Sequence, residues 1–194
     1  MVKINNNYFL LRHGEAFSNR EPRWLSSWPE IKIAHLTSRG KLKIKKQAQI
    51  FKTKGIDLIF SSDLARTKET AQIVAQIIKK PVIFKKELRE LNFGVFNGFH
   101  PNVYWAYFQN PLERFTKKIP HGETLNQCAK RIFNFWKKIN CRYQNKNILI
   151  ISHADPLWLL ESKIRKLTKI QMVKNYRLRL SPGEVRIIRA HSKD

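Results

Sequence analysis

Cysteine is scarce in this sequence: Cys128 and Cys141 are the only two among 194 residues. They show neither the CxxC spacing of redox and zinc motifs nor neighbouring residues that would complete a metal site. Because no export signal is recognisable, we expect two reduced thiols rather than a disulfide. Redox chemistry and a structural zinc site are therefore disfavoured.

Long apolar runs and low-complexity segments are also missing. The first residues, MVKINNNYFLL, hold an apolar stretch that is too short for a signal peptide or a membrane span. No linker rich in Gly, Ser or Pro divides the chain, and no internal repeat is recognisable. The length of 194 residues suffices for one well-packed core. We therefore expect one cytoplasmic domain over residues 1–194, without a membrane segment.

Acidic residues are few: 14 aspartates and glutamates oppose 38 lysines and arginines, which gives a net charge of +24. A charge of this size attracts anionic ligands and is compatible with nucleic-acid association. The basic residues are spread along the whole chain, and no basic tail stands apart. Two interpretations stay open: a lysine-rich solvated surface without a partner, and a functional surface for polyanions such as nucleic acid.

Short apolar runs that are followed at once by polar residues predict the strands. Three such runs are typical of strands buried on both faces, at 8–11, 57–60 and 148–151. The other predicted elements are a basic helix at about 39–54, a strand at 81–84, a helix at about 123–141 and a last strand at 183–190. Strands alternating with helices predict a three-layer α/β fold, a doubly wound, mainly parallel sheet with helices on both faces.

Two further helices are predicted directly after strands. In SSDLARTKETA, Ser61 or Ser62 is the predicted N-cap of a helix that Pro81 ends. In SHADPLWLL, Asp155 is the predicted N-cap and Pro156 the first helical residue. Both helices would begin at the carboxyl edge of the sheet, where ligands bind in folds of this kind.

Arginine and histidine stand at three predicted strand ends. Arg12 and His13 end the first strand, where Gly14 permits a turn, Arg66 follows the second and His153 the third. Each residue alone is more often structural than catalytic. Together, and without a cluster of acidic or cysteine ligands, they fit a phosphoryl group better than a metal. One neutral imidazole would attack phosphorus while the positive ligands stabilise the phosphoryl oxygens.

The alcohol that leaves needs a proton donor, and KKELRELNFGVFNGF offers Glu87 and Glu90. A carboxyl group shielded by Phe93 and Phe96 would have a raised pKa and could deliver its proton. The alternative is that both glutamates form surface ion pairs with neighbouring lysines and arginines. The local residues leave both interpretations open.

Five segments in order resemble motifs of the histidine phosphatase, or phosphoglycerate mutase-like, superfamily. They are RHGEAFSN at 12–19, SSDLARTKETA at 61–71, ELRELNFGVFNGF at 87–99, PHGETLNQCAKRI at 120–132 and ISHADP at 151–156. The resemblance covers most of the chain, from residue 8 to about 160. It implies a metal-independent enzyme, without a cofactor, that acts on a small-molecule phosphate ester.

The resemblance also assigns roles to single residues. It implies that His13 is the phosphorylated nucleophile, and that the phosphoryl oxygens are held by Arg12, Asn19, Arg66 and His153. The family's general acid stands four residues before the first glycine of its segment, which here is Gly94 and selects Glu90 over Glu87. The reaction implied is hydrolysis of a phosphomonoester through a phosphohistidine.

The sequence departs from the family's pattern at a few positions. Lys43 and Ile44 stand where Gln-Ala is common, Asn97 stands where Glu is frequent, and Asp155 stands where glycine is frequent. We interpret Asp155 as a helix cap. None of these departures removes a reacting group.

The interval between the acid segment and PHGET favours a phosphatase, because mutases of the family usually carry a longer insertion there. Phosphoglycerate mutase-type transfer is the alternative reaction, and a basic polyanion-binding protein without turnover is the alternative of another class. Residues 95–120 are predicted to form a small helical or loop cap over the C-terminal strand ends. Their aromatic side chains, with Trp24 and Trp28, would either wall the substrate or fill the core of the cap. The sequence predicts neither the identity of the ester nor an oligomeric state.

Overall fold

The computed structural model describes residues 3–190, and their strands form a five-stranded sheet. The strands are β1 Asn7–Arg12, β2 Leu58–Ser61, β3 Val82–Phe84, β4 Asn147–Ser152 and β5 Val185–Ile188. Their order across the sheet is β3-β2-β4-β1-β5, with β1 to β4 parallel and β5 antiparallel to β1. The predicted three-layer, mainly parallel fold is confirmed.

Helices cover both faces of this sheet. They are α1 Ser38–Lys52, α2 Ala65–Ile78, α3 Pro101–Ala106, α4 Leu125–Arg142, α5 Ala154–Ile164 and α6 Lys169–Lys174. Apolar side chains of α1 and α2 pack on one face, and those of α4 and α5 pack on the other. Among residues 3–190, no helix is both long and apolar enough to cross a bilayer.

The central strand β1 sends its side chains alternately into two apolar cores. Tyr8 and Leu10 pack with α4 and α5, whereas Phe9 and Leu11 pack with α1 and α2. All four side chains are buried, and burial of one such side chain contributes about 1.5–3 kcal/mol. A continuous apolar run is typical of a parallel strand that is covered on both faces. This packing fixes where β1 ends and therefore where His13 lies.

The segment predicted as a cap, residues 95–120, contains α3 and the short 3-10 helix Pro111–Phe115. Tyr104, Phe108 and Phe115 are buried in an apolar cluster together with side chains of α4, α5 and α6. Of the two interpretations of the aromatic residues, core packing therefore holds for these three. The segment lies against the same end of the sheet as the strand termini that carry the predicted site residues, because Tyr104 also lines the cavity there.

The start of α2 is capped by a distant residue, so the predicted serine cap is wrong. The helix begins at Ala65 without a side-chain cap from the preceding residue. Instead Glu30, from the loop before α1, accepts a hydrogen bond from the Ala65 N–H at 3.0 Å. The hydroxyl of Ser61 donates to backbone carbonyls. That of Ser62 contacts a histidine of the candidate site and accepts a hydrogen bond from the N–H of Leu64, the residue before the helix, at 3.3 Å. Neither serine accepts from an N–H of the first turn of α2.

Two glycines let the chain after β1 pack directly against the start of α1. Strand β1 ends at Arg12, and Gly14 follows without a left-handed φ, so the contribution of this glycine lies in its missing side chain. A Cβ at Gly14 would lie 2.8 Å from Cγ1 of Ile44, and a Cβ at Gly40 would lie 2.1 Å from the carbonyl oxygen of Glu15. Both contacts are too short for any side chain. The glycines therefore serve close packing beside the candidate nucleophile.

We expect Gly40→Ala to lower the free energy of unfolding by about 2–3 kcal/mol, because the new methyl group would press on backbone that cannot move away. Urea unfolding followed by circular dichroism measures the change. The control is Gln49→Ala, on the exposed face of the same helix, which should shift stability by less than about 0.5 kcal/mol. A Gly40→Ala protein as stable as the native one would contradict this account of the packing.

Candidate active site

A cavity of about 520 Å³ opens at the carboxyl ends of the parallel strands. Five of the predicted site residues line it: Arg12, His13, Asn19, Arg66 and Glu90. The sixth, His153, is fully buried and is not part of the cavity wall. Its ring packs edge-on against that of His13, with 5.2 Å between the ring centroids. Residues from distant parts of the chain thus meet at one place, as the strand ends predict.

The hydrogen bonds of His13 define which ring nitrogen faces the cavity. Nε2 lies 3.1 Å from the Nε of Arg66, and Nδ1 lies 2.7 Å from the carbonyl oxygen of Gly14. A guanidinium can only donate, so Nε2 must be the acceptor. We assign the proton to Nδ1, which donates to Gly14. The lone pair of Nε2 is then the one available for attack on a bound group.

Burial keeps both histidines of the site neutral. Desolvation lowers the pKa of His13 well below its usual value, and the nearby charges of Arg66 and Arg12 lower it further. The pKa of His153 is lowered in the same way, by burial first and then by Arg66 and His13. A neutral imidazole has a free lone pair and attacks without first losing a proton.

The same two histidines predict that the fold loses stability in mild acid. They titrate near 6.5 in the unfolded chain and far lower in the folded one. Below pH 6.5 the unfolded state therefore binds more protons, and stability falls with decreasing pH by about 1.4 kcal/mol per pH unit for each histidine.

Urea unfolding at pH values above and below 6.5 tests this prediction. His153→Gln should make the dependence on pH shallower by about 1.4 kcal/mol per pH unit, whereas Gln49→Ala, which removes no titratable group, should leave the dependence as it is. If His153→Gln and the native protein showed the same slope, His153 would not be neutral in the folded state.

Arg66 is held rigidly by a residue that the sequence did not indicate. Its Nη1 donates to the Ser26 hydroxyl at 2.9 Å, and its Nη2 donates to the Ser26 carbonyl at 2.8 Å. Glu30, which caps α2, lies 3.8 Å from the same Nη1. The guanidinium is 2% exposed, and desolvation lowers its pKa. Ser26 lies in RWLSSW, which carries no recognisable motif.

Arg12 and Asn19 complete one wall of the cavity. The Nη1 of Arg12 donates to the carbonyl oxygen of Leu180 at 2.8 Å. Burial, followed by the charge of Arg179, lowers the pKa of Arg12 to about 10. Asn19 accepts a hydrogen bond from the N–H of Ala16 through its side-chain oxygen at 3.0 Å. Its amide N–H groups make no hydrogen bond with another residue among 3–190, so they are available to a ligand.

Glu90 is the glutamate that lies in the cavity. Its Oε1 accepts a hydrogen bond from the N–H of Leu91 at 3.0 Å. Burial raises the pKa of Glu90, and the neighbouring charge of Asp155 raises it further, while Arg66 opposes both effects. Glu87 does not line the cavity. A carboxyl group with a raised pKa in the same cavity as a candidate nucleophile has the properties of a general acid.

Aromatic side chains form much of the remaining wall. Trp24, Phe93, Tyr104 and Trp105 line the cavity. Trp28, which was predicted beside Trp24, does not reach it. Instead its indole N–H donates to the carbonyl oxygen of Glu90 at 3.1 Å and supports that residue from behind.

Asp155 is an ion-pair partner and not the predicted helix cap. Helix α5 begins at Ala154 with His153 at the N-cap position, so Asp155 lies inside the first turn. Its Oδ2 is 3.2 Å from Nη2 of Arg114, and its Oδ1 is 3.1 Å from Nε of Arg179. Burial raises the pKa of Asp155, but the two arginines lower it by more, so the net shift is downward and the carboxylate is charged.

The segment before β5 also contributes to the cavity, which the sequence analysis missed. Tyr176, Arg179 and Pro182 line the cavity. This segment reaches the site because β5 runs antiparallel to β1, so that β5 begins where β1 ends. Only the direction of the last strand would have indicated that this segment reaches the cavity, and sequence patterns do not specify that direction. Within residues 3–190, no three His, Cys, Asp or Glu side chains form a group that could hold a metal ion.

Comparisons with known proteins agree on one family. A model of the histidine phosphatase superfamily (branch 1) matches residues 8–194. The chain is 32% identical over 161 residues to a probable phosphoglycerate mutase GpmB of Escherichia coli O139:H28, across 80% of this chain and 73% of that protein.

Solved structures with the same fold include two phosphatases. The alpha-ribazole phosphatase of Shigella flexneri has a TM-score of 0.77 and 25% identity, over 93% of this chain and 89% of that chain. The mycobacterial glucosyl-3-phosphoglycerate phosphatase complexed with VO3 has a TM-score of 0.81 and 18% identity, over 96% of this chain and 92% of that chain. At 18% identity the second likeness shows the fold alone.

Proposed function

Because the chain belongs to branch 1 of the histidine phosphatase superfamily, we propose that it hydrolyses small organic phosphomonoesters through a phosphohistidine on His13. The observation that carries the proposal is the contact of Nε2 of His13 with Arg66 in a cavity that also holds Glu90. A site that only bound phosphate would need neither a neutral imidazole nor a carboxyl group with a raised pKa. The three groups together support catalysis of phosphoryl transfer.

In the first step, the phosphoryl group of the ester binds between Arg12 and Arg66. Their guanidinium groups donate to the phosphoryl oxygens, and Arg66 exchanges its contact with His13 for one with the substrate. The buried Nδ1 of His153, which has no hydrogen-bond partner among residues 3–190, and the amide of Asn19 are further candidates for these oxygens. The lone pair of Nε2 of His13 attacks phosphorus as the bond to the ester oxygen breaks.

Glu90 provides the proton that the leaving alcohol needs. As the ester oxygen departs, Glu90 protonates it and becomes a carboxylate. In the second step the carboxylate takes a proton from water, whose oxygen attacks phosphorus and releases His13. Inorganic phosphate leaves, and Glu90 is protonated again, so the cycle closes without metal or cofactor.

Mutase-type transfer is the second candidate because of the 32% identity to a probable phosphoglycerate mutase. In that reaction the phosphohistidine would pass its phosphoryl group to a sugar acid instead of water. The short interval between Glu90 and the PHGET segment favours hydrolysis. Measuring interconversion of the two monophosphoglycerates against release of inorganic phosphate separates the two reactions.

The proposal is tested with the purified protein and p-nitrophenyl phosphate. We expect release of p-nitrophenol, inhibition by vanadate and no loss of activity in EDTA. A panel of phosphorylated metabolites, phosphopeptides and nucleotides then ranks the substrates. If no phosphate ester in the panel were hydrolysed or transferred while anions still bound, a binding role without turnover would replace the proposed reaction.

Binding of polyanions by the basic surface is tested separately from the phosphatase activity. Helix α1 carries lysines and arginines without any acidic residue, and such a surface attracts polyanions. Nucleic-acid binding that weakens steeply with salt, with phosphatase activity unaffected, would support an added surface function.

A further inference from the structure

Two arginines from distant segments face each other across Asp155 in the cavity wall. Arg114 comes from the 3-10 helix in the cap segment and is 3% exposed, and Arg179 comes from the segment before β5. Asp155 contacts one nitrogen of each guanidinium, at 3.2 Å and 3.1 Å. All three residues line the same cavity as His13. Asp155 lies close enough to Glu90 for its charge to raise the pKa of that carboxyl group. Since Glu90 is the residue proposed above to protonate the leaving group, we place the three residues on the leaving-group side of the cavity.

Each arginine is fixed by further contacts. The Nε of Arg114 donates to the Tyr104 hydroxyl at 3.1 Å, and its guanidinium lies 4.4 Å from the ring centre of Trp105. Arg179 donates through Nη1 to the hydroxyl of Tyr176 and lies 4.7 Å from the centre of that ring. Arg114 therefore uses two of its three nitrogens in hydrogen bonds to the protein. Arg179 uses one, because its Nε lies at ion-pair distance from Asp155 but forms no hydrogen bond among residues 3–190. The pair is held in place and is not free to follow a ligand.

Two adjacent arginines without an acid between them would bind an anionic group of a substrate, because the guanidinium fork matches carboxylate and phosphate oxygens. Here the carboxylate of Asp155 already occupies the position between them. An anionic group on the leaving alcohol would meet two arginines that are partly neutralised and a buried negative charge beside them. The carboxylate repels such a group and cancels part of the attraction by the arginines, so the pair binds a second anion much less well than two unpaired arginines would.

Aromatic rings stand beside the two arginines in this part of the cavity. Trp105 lies against Arg114 and Tyr176 lies against Arg179, and both rings line the cavity. Aromatic side chains bind the organic part of small ligands.

We propose that Asp155 is a specificity-determining residue, which makes the cavity select phosphomonoesters with an uncharged, apolar or aromatic leaving group over those whose leaving group carries a second negative charge. This inference rests on the proposed function, according to which the phosphoryl group of the ligand binds between Arg12 and Arg66. The carboxylate of Asp155 occupies the position between the two arginines in which an anionic group of a ligand would otherwise bind. A departure from the family's sequence pattern at this position thus has a chemical meaning.

The test uses binding and does not depend on turnover. Benzylphosphonate and its para-carboxy derivative are two phosphonates that differ only in one distant negative charge, and calorimetry gives the Kd of each. We expect the native protein to bind benzylphosphonate at least about tenfold more tightly. In Asp155→Asn the arginines keep a hydrogen-bonding partner but lose the negative charge, so this ratio should fall about tenfold or reverse.

The matched control is Glu161→Gln on the same helix. Glu161 is also 1% exposed and also joins two arginines, Arg165 and Arg186, each at 2.8 Å, but it lies outside the cavity. This variant loses a buried acid of the same kind, and the ratio of the two Kd values should stay as in the native protein.

Several results would overturn the inference. They are equal or tighter binding of the para-carboxy ligand by the native protein, an unchanged ratio in Asp155→Asn, and a shift of the same size in Glu161→Gln. Comparing the Kd values of the two phosphonates for the native protein requires no variant, so it tests the inference even if Asp155→Asn fails to fold. Hydrolysis of benzyl phosphate is measured in parallel, and selective binding without hydrolysis would reject the proposed function but not the role of Asp155. Failure of both phosphonates to bind would count against both proposals.

Discussion

Replacing His13 with alanine is expected to lower kcat for p-nitrophenyl phosphate by about 10⁴-fold or more, because the variant has no atom that can form the phosphoenzyme. The other residues of the cavity would still bind the substrate, so KM should change much less than kcat. Native protein mixed rapidly with radiolabelled substrate should carry acid-labile label, and His13→Ala should carry none.

The control for this experiment is His35→Ala, at an exposed histidine outside the cavity. It should keep the activity and the labelling of the native protein. Full hydrolysis by His13→Ala would show that another group is the nucleophile or that water attacks the ester directly. Labelling that persisted in His13→Ala would point to His153 instead.

The second large effect is expected for Glu90→Gln, which should lower kcat by about 10²- to 10⁴-fold. The loss should be greatest for alkyl phosphates, whose alcohols are poor leaving groups and need the proton. With p-nitrophenyl phosphate the first step depends less on an acid, so a burst of one p-nitrophenol per site should precede slow turnover. Stopped-flow absorbance measures the burst and the steady state in one experiment.

Because the pKa of Glu90 is raised, we also expect the activity to depend on pH. Because the acid must be protonated in the first step, kcat/KM for an alkyl phosphate should fall as the pH rises through the Glu90 pKa, which burial and Asp155 place above its usual value. Glu90→Gln should lack this fall. Glu87→Gln, three residues away and outside the cavity, should behave like the native protein. A profile that was the same in Glu90→Gln and the native protein would exclude Glu90 as the acid.

The sheet and the meeting of the predicted residues could be predicted because they depend on local patterns. An apolar run such as 148–151 can only be buried on both faces, and parallel strands bring their carboxyl ends to one edge of a sheet. Arg12, His13 and Arg66 therefore had to come close, whichever loops connect them. The choice between Glu87 and Glu90 was different, since it followed from the resemblance to a family and not from the local residues.

The residues that the sequence did not indicate act through contacts over long distances in the chain. Ser26 fixes Arg66 from a loop 40 residues away, and Glu30 caps α2 from a loop 35 residues away. No period, spacing or propensity relates such loops to the elements that they touch. Arg179 was missed for the same reason.

Asp155 shows how a tertiary contact overrides a local preference. Asp followed by Pro at the start of an apolar run is typical of an N-cap and a first helical residue. In the fold, two arginines approach that position from other segments and pair with the buried carboxylate, which would be left with an uncompensated charge if it turned to the backbone instead. The helix begins two residues earlier, at Ala154 instead of Pro156, and the carboxylate points to the arginines.

The position of β1 in the sheet has a consequence for how this protein is made. The two strands that pair with β1 are β4 and β5. Asn7 of β1 pairs with Asn147 of β4, 140 residues further along the chain. At a synthesis rate of roughly 5–20 residues per second, the strand before His13 waits for roughly 7–30 seconds before its partner leaves the ribosome. During that time a nascent chain exposes an apolar strand with two unpaired edges, which is a target for chaperones and for aggregation. The chemistry of His13 thus becomes available only after β4 and His153 have also been translated.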